Sequence, residues 1–365
     1  MIYYISKEAK NENSSASYNH IRLIYNGLKE CRAKVEMYFL YLPVPKSRIE
    51  TIISRYIISY IKGVWELLRL LFKVDKNDIV IFYGEYDQSW MFSLFGKKTN
   101  LVIERTEYPS FEIYDTIGRL GTYFSKKFLK NLRYASSLIT CSSSLKSYYI
   151  KYVDDIFVIP LVVDDKEFEI NNTKKREEVG GEYIAYCGSF NNNKDGIPLL
   201  IEAYSLFHAN HPLIRLVLIG TGSQDNVISL KRFVKQFGIE GSVVFTGAVP
   251  HEEIGPWLCG ASMLALARPN NKQAEGGIPS KVGEYLASGV PCVITRTGDL
   301  PNYLHDGVDC FICEPDSATA FAKRLEDCYI SDKKEIGRMA RLTVKQMFGY
   351  RYQAKRLMDF FNQKY

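Results

Sequence analysis

The residues best suited to chemistry crowd into one stretch, Arg268-Pro-Asn-Asn-Lys-Gln-Ala-Glu-Gly-Gly-Ile-Pro-Ser-Lys-Val-Gly-Glu-Tyr-Leu-Ala-Ser-Gly-Val-Pro-Cys-Val293. Its pattern is a strand end, a Gly-Gly loop and a helix over Pro279 to Ser288. Proline favours the start of that helix, and Gly289 with Pro291 beyond it favours the end. Gly276 and Gly277 let backbone amides approach a ligand closely. The helix start aims free N–H groups and a partial positive charge at the same place. That geometry binds a phosphate. Lys281 and Arg268 add full charges. Glu284 follows Ser280 by one turn on the same face and can accept hydrogen bonds from sugar hydroxyls.

These residues need a scaffold, and the chain supplies two. Its 365 residues exceed one ordinary core and suit two domains. Strand-like runs (2–5, 35–40, 78–82, 100–103, 135–140) alternate with helical patterns through the first half, and 155–165 reads as a strand leading out. A polar, charged stretch at 169–181 reads as a linker. The alternation then restarts with strands at 183–187, 213–219, 242–245, 261–265 and 292–295, and helices at 198–209, 229–237 and 279–288. Strands apolar on both faces with helical crossovers imply parallel sheets, so the predicted fold class is α/β with two doubly wound, Rossmann-like domains. Expected boundaries are 1–165 for the first domain and 166–345 for the second, with a helix in 346–365. A cleft between the domains is the default active site.

The stretch around Gly276 resembles the second domain of family 4 glycosyltransferases, in the branch with a Gly-Gly-hydrophobic-Pro-Ser/Thr-Lys-x-x-Glu-Tyr-Leu-Ala-x-Gly-x-Pro-Val signature. The likeness continues through 295–307 and Cys313-Glu-Pro315, and upstream through Cys187-Gly-Ser189, Lys194-Asp-Gly196, Ser136 to Ser142 and 158–164. The first domain matches only in pattern and in Glu104-Arg-Thr-Glu-Tyr-Pro109. The resemblance implies a GT-B fold with the domains facing across a cleft, 1–165 as the acceptor-side domain, 166–345 as the nucleotide-sugar-binding domain and 346–365 as a helix crossing back to the first. It also implies a metal-independent, hexosyltransferase-type reaction with retention and no cofactor beyond the nucleotide diphosphate sugar. Glu284 matches the second glutamate of the family's E-x7-E motif, expected on ribose hydroxyls, and Lys194 the lysine that meets the donor diphosphate. Two positions depart. The first glutamate of the motif falls at Gly276, with Glu275 one residue out of register, and the usual Arg after the glycine turn is Ser189. The expected donor-binding set is Gly188, Ser189, Lys194, Arg268, Gly276, Gly277, Ile278, Ser280, Lys281 and Glu284. Glu275 and Glu107, which ends a first-domain strand, are the catalytic candidates.

Other motifs weigh less. Cys310-Phe-Ile-Cys313 has no second pair and no nearby His, and reads as a strand. The five histidines form no metal-ligand spacing. Gly220-Thr-Gly222 reads as a turn. Glu85-Tyr-Asp87 mimics the Asp-x-Asp metal motif of the other glycosyltransferase fold, which nothing else here fits.

A second signal is surface charge. The net charge is +6. Arg48, Arg55, Lys62 and Arg69 recur every seven residues, nearly two turns, and so form a basic stripe beside Trp65, Leu67, Leu68, Leu70, Leu71 and Phe72. Residues 116–153 hold seven Lys or Arg and no acid, with Tyr123, Phe124 and Phe128 interleaved. Basic, aromatic helices lie on anionic membranes. No motif for nucleic acid accompanies the charge. The start, Met1-Ile-Tyr-Tyr-Ile-Ser, lacks a basic segment and a long apolar run, so the expected location is cytoplasmic, peripheral on the inner face of the cell membrane.

The expected function is transfer of a sugar from a nucleotide diphosphate sugar to a lipid-linked or glycan acceptor in polysaccharide or glycan biosynthesis. A nucleotide-sugar epimerase on the same fold and a non-catalytic sugar-nucleotide-binding subunit remain open.

Overall fold

Strands that are apolar on both faces must be covered on both faces, and the computed structural model satisfies this with two all-parallel, six-stranded sheets flanked by helices. It describes residues 1–6, 16–40, 52–86, 88–113, 118–168, 179–191 and 194–365, with side chains in the helix Ile52–Lys73 described from Tyr60 onward. The first sheet contains β1 (Ile2–Ser6), β2 (Val35–Phe39), β3 (Ile79–Tyr83), β4 (Asn100–Arg105), β5 (Ser137–Thr140) and β6 (Ile156–Val158), ordered β2-β1-β3-β4-β5-β6. The second contains β7 (Tyr183–Cys187), β8 (Arg215–Ile219), β9 (Val243–Gly247), β10 (Met263–Leu266), β11 (Cys292–Thr295) and β12 (Phe311–Cys313), ordered β12-β11-β10-β7-β8-β9.

The chain divides into one unit of Met1–Pro160 with Tyr350–Tyr365 and another of Leu161–Gly349, against the expected boundaries at 165 and 345. Entry to and exit from the second unit lie side by side. Val163 and Gly349 form a parallel bridge, and Val163 N–H donates to the Phe348 carbonyl at 3.0 Å.

Within the first unit, Phe82 of β3 centres an aromatic core, with ring centroids 5.1 Å from both Tyr86 and Phe92 and 5.4 Å from Phe95. The final helix, Tyr350–Lys364, packs on the helix Ala16–Glu30. Tyr350 hydroxyl donates to Glu30 Oε1 at 2.7 Å, and Phe360 stacks on Phe157 of β6 at 4.8 Å.

In the second unit, β7 and β10 are wholly buried, which explains their unbroken apolar sequence. The helix expected from Ser229 begins earlier, at Gln224, because Ser223 caps it by accepting from Asn226 N–H at 3.3 Å. Most of the expected linker, residues 169–178, lies outside the described residues. No described helix is long and apolar enough to cross a membrane.

Candidate functional site

The order of the second sheet reverses at β7, which has β8 on one side and β10 on the other. Doubly wound sheets bind ligands beyond the carboxyl ends of the strands at such a reversal. The residues leaving β7 and β10 there are Gly188 and Ala267-Arg268.

Backbone geometry fixes this edge. Gly188 N–H donates to the Ile219 carbonyl at 2.9 Å, and Phe190 N–H to that of Thr221 at 3.0 Å. Gly220 stands at φ +126°, and a Cβ there would lie 2.0 Å from the Gly188 carbonyl oxygen. The Gly220-Thr221-Gly222 segment is therefore the turn that backs the Gly188 loop. Gly196, at φ +67°, would bring a Cβ within 1.8 Å of the Ala267 carbonyl, so glycine alone lets the Lys194-Asp195 loop lie against the end of β10. Arg268 is pinned from the other side, where Thr295 hydroxyl donates to its carbonyl at 2.7 Å.

Asp195 is the hub of the charged groups. Lys281 Nζ lies 2.9 Å from Asp195 Oδ2, and Arg268 Nε lies 3.8 Å from Oδ1. Tyr186 hydroxyl donates to Oδ2 at 2.8 Å. Asp195 and Arg268 are buried, and the Lys281 side chain keeps 16% of its exposure. Burial alone would raise the Asp195 carboxyl, but Lys281, Tyr186 and Arg268 together hold it below the ordinary carboxylate range. Burial and the facing carboxylate push the Tyr186 hydroxyl far up, so it stays a donor.

The expected residues thus meet in large part. Arg268 donates to the Lys194 carbonyl at 3.3 Å and lies 3.4 Å from the Gly277 carbonyl. A Cβ on Gly188 would come 2.1 Å from Lys281 Cε. Ser189 is exposed, and its carbonyl accepts from Tyr186. The helix runs Ser280–Ser288 with Pro279 one position before it, and no side chain caps its start. Ile278 is buried beneath that turn.

Glu284 is partly buried on the same helix, and no described residue donates a hydrogen bond to its carboxylate. Burial raises its pKa, Lys281 and His251 pull it down, and Glu167 pushes it up. A partly buried carboxylate with unused acceptor sites is suited to hydroxyl groups of a ligand.

Other expectations change. Gly276 has φ −67° at the end of a one-turn helix, Lys272–Glu275, so its conformation does not require glycine. Glu275 lies exposed on that turn. Glu107 is exposed beyond β4 in the first unit, where its carbonyl accepts from Tyr149 hydroxyl at 2.9 Å. Cys310 and Cys313 are buried free thiols. Among the described residues, no group of three or more His, Cys, Asp or Glu is placed to hold a metal. Glu85 accepts from the backbone and hydroxyl of Ser110 at 3.2 and 2.8 Å, and Asp87 lies outside the described residues. Of the seven-residue stripe, Arg48 and the Arg55 side chain also lie outside them. Lys62 is exposed, and Arg69 sits 3.6 Å from Glu66.

A polar cluster that sequence reasoning missed lies at the carboxyl end of the first sheet. Glu104 is buried, accepts from Tyr4 hydroxyl and meets His20 Nε2 at 2.6 Å.

Residues 181–330 match the family model described as Glycosyl transferases group 1. The mannosylfructose-phosphate synthase of Agrobacterium fabrum is 30% identical over 157 residues, which is 40% of this chain and 33% of that protein, so the match spans a third of the relative's length. Two solved structures are similar in fold over nearly the full length of the chain. Sucrose-phosphate synthase from Thermosynechococcus elongatus gives a TM-score of 0.75 at 14% identity, covering 99% of this chain and 98% of that one. Anabaena Alr3699/HepE in complex with UDP and glucose gives 0.72 at 16%, covering 99% of each. The fold is GT-B.

Proposed function

We propose that this chain, whose residues 181–330 belong to the group 1 glycosyltransferases, moves a sugar from a nucleotide diphosphate sugar to a lipid-linked or glycan acceptor, with retention and with no cofactor beyond the donor. One observation carries the reading. At the strand-order reversal of the second sheet, an uncapped helix start, Lys281 and Arg268 converge beside the glycine loop at 188. Phosphate groups bind such a convergence of amides and cations.

The Anabaena relative in complex with UDP-glucose supports a uridine nucleotide as a first donor to test. In this reading Lys281, Lys194 and the helix-terminal amides hold the diphosphate, and Glu284 receives the ribose hydroxyls. As the sugar–phosphate bond breaks, negative charge grows on the leaving diphosphate, and cations already in place stabilise it without reorganising.

An anionic membrane surface is the second partner in this reading, and the first unit supports it. Ile61, Trp65 and Phe72 are 60%, 57% and 84% exposed on the helix Ile52–Lys73, with Lys62 among them. Leu120 and Tyr123 are similarly exposed on the basic helix Gly118–Asn131. Apolar groups flanked by cations suit a lipid headgroup layer. Such a surface brings the enzyme to a lipid-linked acceptor.

A thermal-shift panel of nucleotide sugars tests the donor, since a ligand bound only by the folded state raises the melting temperature. Lys281→Ala should weaken nucleoside diphosphate binding by about 1–3 kcal/mol in calorimetry. Unchanged affinity would remove Lys281 from the site.

A further inference from the structure

A second concentration of positive charge exists, entirely within the first unit. A cavity of about 560 Å³ opens between the helix Gly118–Asn131 and the segment after the helix Ser143–Tyr149. Lys126, Lys130, Arg133 and Lys151 surround it, Leu129 forms its buried floor, and Phe111 and Tyr152 stand as aromatic walls. Among the described residues, no acidic side chain lines it.

Some cations of the same unit are paired, while others, Arg119 and Lys127 among them, are not paired with a described residue. Lys73 is neutralised by Glu36 at 2.6 Å and Arg351 by Glu30 at 2.7 Å. None of the four cavity cations is ion-paired with a described residue. Aromatic rings steer them instead: Lys126 Nζ sits 5.7 Å from the Phe111 ring, and Lys151 Nζ 4.2 Å from the Tyr148 ring and 5.3 Å from that of Tyr152. Arg133 donates to Tyr134 hydroxyl at 2.8 Å, which directs its guanidinium without neutralising it.

Like charges round a concave wall of low polarisability repel one another and focus a positive potential inward. An anion relieves both effects, and a multiply charged one relieves them best. We propose that this cavity is a specific binding site for a phosphate group, with the aromatic walls accommodating the carbon skeleton that carries it. The inference does not depend on sugar transfer, but its headgroup arm rests on the membrane reading of this same helix, while the glycerol phosphate arm stands apart from it. The phosphate could be a phospholipid headgroup or a free phosphoester, and the two sources are separable.

The test uses the full chain at physiological ionic strength, with two probes. Glycerol phosphate is titrated by calorimetry, and vesicles of phosphatidylglycerol in phosphatidylcholine are used for co-sedimentation. The paired variants are Lys130→Ala/Lys151→Ala in the cavity, and Arg119→Ala/Lys127→Ala on the same helix but outside the lining. The charge change is identical, and the altered side chains are at least partly exposed, so melting temperatures should be unchanged.

Saturable glycerol phosphate binding, reduced at least about tenfold by the cavity pair and much less by the control pair, supports the site with a free phosphoester as ligand. Binding only to phosphatidylglycerol vesicles, with the same contrast between pairs, supports it with a headgroup as ligand. Equal losses in the two pairs, equal binding to vesicles of phosphatidylcholine alone, or no binding of either probe would overturn it.

Discussion

Lys281 Nζ and Asp195 Oδ2 stand 2.9 Å apart, so the cation expected to meet a phosphate is already occupied by a buried carboxylate. This pair fixes the ammonium in place and hides part of its charge. Asp195 Oδ1 receives no hydrogen bond from any described residue, so Asp195 itself is not fully satisfied. In the proposed reading an arriving diphosphate competes with Asp195 for Lys281 and Arg268, so the aspartate would act as a brake on donor affinity as well as a brace for the unliganded fold.

Asp195→Asn should therefore act in opposite directions on stability and binding. Removing the negative charge takes the buried carboxylate from Lys281 and should lower stability by about 1–3 kcal/mol at neutral pH. The Asp195 carboxyl is held below its ordinary value in the fold, so its contribution is present above the unfolded carboxylate pKa. It is lost as pH falls through the lowered folded value. The gap between wild type and variant should close below about pH 4. Saturating UDP should also narrow it at neutral pH. Thermal melts over pH 3–7, with and without UDP, measure both. A variant as stable as wild type at pH 7 would contradict the bracing role.

Gly188→Ala and Gly196→Ala should separate binding from folding. A Cβ on Gly188 meets the far end of the Lys281 side chain at 2.1 Å, which can move away, and the buried Tyr186 hydroxyl at 2.6 Å, which must loosen its bond to Asp195; both are side-chain atoms, not backbone. The expected result is a modest change in melting temperature with donor affinity reduced by about 1–3 kcal/mol, since Lys281 leaves its position. A Cβ on Gly196 meets the Ala267 carbonyl at 1.8 Å at a φ of +67°, and backbone on both sides must shift. Destabilisation there should exceed about 2 kcal/mol. Denaturant unfolding beside calorimetry distinguishes the two, and the prediction fails if Gly188→Ala is the more destabilised protein.

Glu284→Gln should cost function and not stability. Burial raises the Glu284 carboxyl in the fold, so the ionised form is disfavoured there and the penalty is present above the ordinary carboxylate pKa. It is complete above the raised folded value, shrinks as pH falls below that value and is gone below the ordinary one. Glutamine removes it at neutral pH, so the melting temperature at pH 7 should hold or rise, while nucleoside diphosphate affinity falls. A drop of several degrees in melting temperature would show Glu284 to be a structural residue.

Sequence legibility follows the range of the interaction. β7, β10 and the helix Ser280–Ser288 were legible because their signals are local: unbroken apolar runs, a proline at the start and a left-handed Gly289 at the end. The turn from Gly277 into that helix was legible through spacing within one segment. Asp195 was not, because its role exists only when β7, β10 and the Ser280 helix bring Tyr186, Arg268 and Lys281 to it from three places in the chain. Glu104 and His20 were hidden for the same reason, lying 84 positions apart. Gly276 adopts an ordinary helical φ, a conformation open to any residue. The basic pattern at Arg69 overstated its charge, since Glu66 one turn away offsets it.

The last prediction concerns the terminal helix Tyr350–Lys364 and asks whether the two units melt separately. A Cβ on Gly27 would already lie 2.5 Å from Ala354 Cβ and 3.0 Å from the Tyr350 carbonyl, so the helices Ala16–Glu30 and Tyr350–Lys364 touch through a glycine. Gly27→Val adds volume where none is free. It must push the terminal helix off its partner, breaking the Tyr350–Glu30 bond and loosening the Phe360–Phe157 stack. Overpacking of this kind costs about 1–3 kcal/mol and more where backbone is involved. The loss should fall on the first unit, since every contact named lies within it. Nucleoside diphosphate binds, in our reading, to the second. Differential scanning calorimetry should therefore show one transition moved down by Gly27→Val and insensitive to UDP, and another unmoved by the substitution and raised by UDP. If the substitution abolishes the UDP-dependent rise, the terminal helix supports the donor site as well, and the assignment of that helix to the first unit alone is wrong.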